Sequence, residues 1–147
     1  KCEALVERVR QHPELNKRLF MFNDLSDKSL EYAYSHAASL VFPSYVEGFG
    51  LPLVEAMQRG LPAMGSDIPV FREIGGEFMA YFDLADPQTL ANLVTRFEAT
   101  GEFPAERPVG EWRWIGWHEA SRQLIARILL ALGKAPAHGE AVHADCG

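Results

Sequence analysis

The 147-residue chain is short of cysteine, of basic charge and of long apolar runs. Each shortage removes a class of protein. Its two cysteines, Cys2 and Cys146, stand at opposite ends of the chain. They are too few for a disulfide framework and read as free thiols in a reducing compartment. Fourteen Lys and Arg against twenty Asp and Glu leave a net charge of −6. Nucleic-acid binding needs a basic face and is therefore not expected, and no polybasic cluster marks a membrane surface. No apolar run approaches the roughly 18 residues needed to span a bilayer; the longest, Leu124 to Leu132, is interrupted by Arg127. No signal-peptide pattern opens the chain, and there is no internal repeat. His36 and His118 stand alone on helical patterns. His138, His143 and Cys146 follow no standard ligand spacing, so no metal site is expected. The composition, 48% hydrophobic and 23% charged, is that of a globular protein with one core.

Apolar runs and punctuating residues alternate along the chain. Residues 2 to 11 read as an amphipathic helix with Leu5, Val6 and Val9 on one face. Arg18 to Phe22 reads as a short buried strand. Ser26 or Asp27 can cap a following helix that carries Leu30, Ala33, Tyr34 and Ala37. Ser39 to Pro43 is a second strand and Leu61 to Gly65 a third, with a helix from Pro52 to Arg59 between them. Pro suits the first turn of that helix and Gly60 its end. A short helix begins near Pro69 and ends at Gly75-Gly76, and Met79 to Phe82 is a fourth strand. Asp86-Pro87 opens a helix to about Thr100, residues 101 to 111 form a loop, and a last helix runs from Trp117 to Leu132. This alternation implies βαβ units: an α/β fold with about four parallel strands and helices on both faces. The domain is expected over residues 1–133, followed by a disordered tail over 134–147 that is rich in Gly, Ala, Pro and His.

The most informative stretch is Pro43-Ser44-Tyr45-Val46-Glu47-Gly48-Phe49-Gly50-Leu51-Pro52-Leu53-Val54-Glu55-Ala56-Met57. Two glutamates flank a glycine-rich turn that leads from a strand into a helix. A helix N-terminus behind such a turn offers unpaired N–H groups and positive dipole to an anion. A carboxylate beside it can accept bonds from neighbouring sugar hydroxyls. In a parallel sheet the loop lies at the carboxyl edge, where ligands bind. Phosphate and sugar together suggest a nucleotide sugar. Each residue also has a plainer reading. Glu55 can be an acid favoured by the helix dipole, Glu47 a loop carboxylate capping N–H groups, Ser44 a cap, and the turn a tight connection.

The block resembles the donor-binding signature of retaining glycosyltransferases of the GT-B fold, family 4. Glu47, Gly48, Phe49, Gly50, Pro52, Glu55, Ala56, Met57, Gly60 and Pro62 all stand in register with it. The resemblance runs from about Leu19 to about Leu132. It implies a Rossmann-like, nucleotide-sugar-binding C-terminal part of a two-domain enzyme, incomplete at its N-terminus. Glu55 would hold the ribose diol. Glu47 would face the donor sugar as the catalytic carboxylate, supporting the developing oxocarbenium charge. The backbone of Gly48, Phe49, Gly50 and Leu51, with Ser44, would hold sugar and diphosphate oxygens, while the Phe49 ring packs down as core. Gly48 and Gly50 would supply positive φ and close approach. Main-chain groups of Phe22-Asn23-Asp24-Leu25 would read the base. No cofactor is implied, the nucleotide-diphosphate sugar being substrate, and no Asp-any-Asp motif supports a metal-bridged diphosphate. The Arg and Lys that meet the diphosphate would lie before Lys1, together with the acceptor-binding N-terminal half of the same parent protein.

Residues Ser66 to Gly76 are similar to bacterial surface-polysaccharide mannosyl- and rhamnosyltransferases. This implies a cytoplasmic enzyme at the inner face of the inner membrane, with peripheral membrane association of the parent. Trp112, Trp114 and Trp117 read as packing residues or as part of an interface with the other half. Three other readings stand beside this one: a non-catalytic nucleotide-sugar binding module, another GT-B-shaped enzyme such as a nucleotide-sugar epimerase or a phosphorylase, and an α/β interaction domain with an accidental motif.

Overall fold

The computed structural model describes residues 3–133. Cys2, Cys146, His138, His143 and the expected tail lie outside the described residues. The chain divides into two compact units, with the boundary between Trp112 and Arg113.

In the first unit the elements run α1 (Glu3–Arg10), α2 (Asp27–His36), β1 (Leu40–Phe42), α3 (Leu51–Gln58), β2 (Ala63–Ser66), α4 (Pro69–Gly75), β3 (Ala80–Phe82) and α5 (Pro87–Thr100). Single 3₁₀ turns occur at Gly76–Phe78 and Val109–Glu111. The strands form one parallel sheet in the order β1-β2-β3. Leu40 pairs with Ala63, Gly65 with Tyr81 and Ser66 with Phe82. Parallel neighbours need a crossover, and α3 and α4 supply the two. The caps agree with the sequence. Ser26 accepts from the Ser29 N–H at the start of α2 and Asp86 from the Gln88 N–H at the start of α5, which satisfies donors that a helix start leaves open.

All four residues of β2 are buried, as a strand with helices on both faces must be. Ala63 packs with Leu53, Val54 and Met57 of α3 and with Phe71 of α4, in a cluster that also takes Met79 and Trp112. Met64 points the other way, into a cluster with Ala80, Phe82 and the apolar stripe Leu90, Leu93, Val94 and Phe97 of α5. Phe71 has no exposed surface, and burying such a side chain stabilises by about 1.5–3 kcal/mol. Trp112 is buried, and its indole N–H donates to the Ile74 carbonyl at 2.9 Å.

Two glycines let α4 lie low over the sheet. A Cβ on Gly65 would meet Met79 Cε at 2.7 Å and Phe71 Cδ2 at 2.9 Å, and one on Gly75 would overlap Met79 Sδ and Cγ. Tyr81 closes the same corner: its hydroxyl donates to the Gly76 carbonyl at 2.9 Å. The Arg72 guanidinium lies 3.7 Å from the Tyr81 ring centre and holds both oxygens of Asp67, at 2.7 and 2.8 Å.

The strand expected at Arg18–Phe22 does not form. Those residues make turns and one isolated bridge between Leu15 and Leu19, so the described sheet has three strands rather than four. A strand exists only through its ladder partners, and none lies beside this run among the described residues. Phe20 and Phe22 stack on each other at 6.3 Å and stay exposed. Leu5 of α1 is likewise exposed, although Val6 and Val9 are partly covered.

The described part of the second unit runs over residues 113–133 and carries α6 (Trp117–Ala131). On α6, Glu119 accepts from the Gln123 amide at 2.8 Å and pairs with Arg122. Such i,i+3 and i,i+4 pairs are worth about 0.2–0.5 kcal/mol each.

Gly75→Ala should lower stability by about 1–3 kcal/mol in urea denaturation, because Met79 cannot yield without leaving the core. Alkaline pH gives a second test. Burial pushes the Tyr81 phenol up to about 12, partly offset by Arg72. The folded state therefore holds this proton where the unfolded chain releases it. The stabilisation is complete below about pH 10 and is lost as pH rises towards 12. Urea midpoints measured from pH 9 to 12 should fall, and should fall less steeply in Tyr81→Phe.

Candidate functional site

The Glu47 loop leaves the carboxyl end of β1 and is clasped to β2 by a buried serine. The Ser44 N–H donates to Ser66 Oγ at 3.0 Å, and Ser66 Oγ donates back to the Ser44 carbonyl at 2.5 Å. A hydroxyl has the one donor and the acceptor capacity this exchange needs, so the fully buried Ser66 is satisfied. Ser44 then turns its own hydroxyl to Glu47 Oε1 at 2.7 Å. The Val46 carbonyl lies farther off, at 3.1 Å. The single proton goes to the ionised partner, where the bond is shorter and stronger. Ser44 and Glu47, both candidates from the sequence, are thus brought into contact, with Glu47 half-buried.

Gly50 makes the turn. Its φ of +80° and ψ of +49° are left-handed, it stands at the N-cap of α3, and no side chain caps that helix. Its carbonyl accepts from the N–H groups of Leu53 and Val54. Pro52 sits in the first turn and has no N–H to offer. The start of α3 is therefore free of a competing side-chain oxygen, with its dipole directed at the loop. Beneath the turn, Phe71 Cε1 lies 3.0 Å from where a Gly50 Cβ would stand.

Two expectations for this loop are corrected. Phe49 does not pack down: it is 44% exposed, because Phe71 already fills the volume under the turn. Gly48 has no positive φ, and a Cβ there would meet nothing within 4 Å. Of the two, Gly50 is the one whose backbone conformation demands glycine. Leu51 is exposed beside it, at the first position of α3.

Glu55 lies in the second turn of α3 and is half-buried. Its Oε2 accepts from the Tyr34 hydroxyl at 3.2 Å. Neither Tyr34 nor Ser66 is a site candidate from the sequence. Tyr34 reads as one more apolar residue at helical spacing, and Ser66 as the residue before a short helix. What marks them is a partner 21 or 22 residues away, which no local pattern encodes.

The segment expected to read the base lines a groove against α2. Phe22 and Leu25 form one side of a groove of about 870 Å³, with Ser29, Tyr32, Ala33 and His36 of α2 opposite. Tyr32 and His36 stack there at 3.9 Å. Tyr34 lies about 200° around the helix from Tyr32, at 100° per residue, so this groove and Glu55 meet opposite faces of α2. Among the described residues no group of three or more His, Cys, Asp or Glu could hold a metal ion, and no helix is long and apolar enough to cross a membrane.

Gly50→Ala should cost at least about 2 kcal/mol in urea denaturation, through the left-handed backbone and the Phe71 ring. Gly48→Ala should change stability by less than about 1 kcal/mol, since nothing opposes the added methyl.

Comparison with known proteins matches residues 3–107 to the family described as glycosyl transferases group 1. The serotype-specific mannosyltransferase WbdA of Escherichia coli is 38% identical over 126 residues, which cover 86% of this chain and 16% of that protein. The O-antigen chain mannosyltransferase RfbU of Salmonella typhimurium is 35% identical over 85 residues, 58% of this chain and 24% of the relative. The chain thus spans less than a quarter of the length of these relatives. Among solved structures, sucrose-phosphate synthase from Thermosynechococcus elongatus superposes with a TM-score of 0.64 at 24% identity, over 88% of this chain and 34% of that one. The fold is accordingly that of a partial GT-B domain. With the signature block in register, the parallel sheet behind it and the match over residues 3–107, the chain belongs to the glycosyl transferases group 1 family.

Proposed function

We propose that the chain is the donor-binding part of a retaining glycosyltransferase, the domain extending over residues 1–133. The parent enzyme moves a sugar from a nucleotide-diphosphate donor to an acceptor during synthesis of a bacterial surface polysaccharide. The observation that carries this reading is the join of β1 to α3. A loop carboxylate is held by Ser44, the left-handed Gly50 opens a helix with no side-chain cap, and a second carboxylate follows in that helix. In the reading, Glu55 accepts from the ribose hydroxyls. The backbone N–H groups from Gly48 to Leu51 and the Ser44 side chain meet sugar and diphosphate oxygens, aided by the α3 dipole. Glu47 lies beside the anomeric centre and stabilises the positive charge that develops as the bond to the diphosphate breaks.

The names of the relatives favour mannose as the sugar and O-antigen as the product class. The acceptor site and the cations that meet the diphosphate belong to parts of the parent outside this chain, so the chain alone binds donor without completing transfer. The parent works on the cytoplasmic side of the inner membrane, as a peripheral protein.

Calorimetry with UDP, GDP, ADP and dTDP and their sugars tests the reading. One nucleotide should bind selectively, and Glu55→Ala should weaken it by about 1.5–3 kcal/mol, the range for a hydrogen bond to a charged group. Equal affinity in wild type and Glu55→Ala would overturn the assignment.

A further inference from the structure

A free glutamate in an early helical turn samples several rotamers, and ordering such a side chain costs up to about 1.5–2 kcal/mol. Glu55 is held before any ligand arrives. Tyr34 is the buried residue of α2, and its ring packs with Ala56 of α3 and with Leu61. The Arg59 guanidinium lies 5.1 Å from the ring centre. Arg59 is itself fixed, by Glu31 of α2 at 2.7 Å and by the Glu55 carbonyl at 2.9 Å. The phenol is thus located by packing on α3 and by a cation that ties α2 to α3.

The phenol has one proton and two acceptors in range. Glu55 Oε2 is at 3.2 Å and the Pro52 carbonyl at 3.5 Å. The carboxylate is both nearer and charged, and takes the bond. Burial first, and then the charge and hydrogen bond of Glu55, hold the Tyr34 phenol above its ordinary titration range. It remains a donor throughout neutral pH. With Oε2 turned to Tyr34, Oε1 is the carboxylate oxygen left uncommitted.

We infer that Tyr34 is a positioning residue: it fixes the Glu55 carboxylate so that Oε1 is presented to the ribose, and so sets the preference for ribose over deoxyribose nucleotides. The inference rests on the donor-site reading above. It adds a specificity determinant on α2 that touches no ligand.

The test compares a ribonucleoside diphosphate with its 2′-deoxy form, GDP with dGDP or UDP with dUDP, by calorimetry on the full chain. Wild type should favour the ribose form by about tenfold or more, the equivalent of one charged hydrogen bond. Tyr34→Phe keeps the ring and its packing, and should reduce that ratio while the dGDP or dUDP affinity stays put. Glu55→Ala should abolish the ratio, and adding Tyr34→Phe to it should change nothing more, since the tyrosine acts through the glutamate. A merely structural role for Tyr34 would weaken both nucleotides alike and add to Glu55→Ala, which would overturn the inference. So would an unchanged ratio in Tyr34→Phe alongside a lost one in Glu55→Ala. An unchanged ratio in Glu55→Ala would overturn the donor reading itself, and the inference with it. A ligand-free readout stands apart from both: the carboxyl ¹³C resonance of Glu55, identified by its loss in Glu55→Gln, should move in Tyr34→Phe. A resonance that stays in place would mean the bond is absent in solution.

Discussion

The contact between the left-handed Gly50 and the ring of Phe71 governs this fold and its site together. Phe71 is wholly buried between α4 and the sheet. Its edge lies directly beneath the point where the chain leaves the β1 loop for α3. A residue with a side chain would have to push that ring away, and the ring has no room to move in an interior packed to crystal density. The direction of α3, the height of the loop above the sheet and the open N-terminus of the helix all follow from this contact. The Ser44–Ser66 clasp then fixes the other end of the loop.

Much of this was legible in the sequence, for reasons that can be named. Capping by Ser26 and Asp86 depends on neighbours within three residues. The short strands at Leu40, Ala63 and Ala80 are apolar runs bounded by Gly, Pro or Asp, and the stripe of α5 repeats at helical spacing. The signature block was complete, so the family could be named before any fold was known. Its glycine requirement was half legible: Gly48 and Gly50 look alike as letters, and only the backbone separates them.

The misreadings share a cause. Arg18 to Phe22 has the composition of a strand, but hydrogen bonding to a neighbour decides whether one exists. Phe49 has the composition of core, but Phe71, 22 residues on, had already taken the space. Tyr34 and Ser66 were missed because their importance lies in the far partner of a single hydrogen bond. Local pattern reports how a residue meets its own element. Burial and partnership are settled between elements, and there one sequence without a fold gives little purchase.

The two carboxylates are mounted on separate supports. Glu47 hangs from Ser44 and, through it, from the ends of β1 and β2. Glu55 rides on α3 and is braced from α2 by Tyr34, with Arg59 and Glu31 behind. The side-chain bonds of the two supports are separate, although the loop and α3 meet at Gly50 and α3 packs on Ala63 of β2. Under the proposed reading, drift in the α2 brace would retune which nucleotide is recognised while the group beside the sugar kept its place. Under that reading, a change on α2 would alter recognition of the ribose through Tyr34 while leaving the donor-contacting residues themselves unchanged.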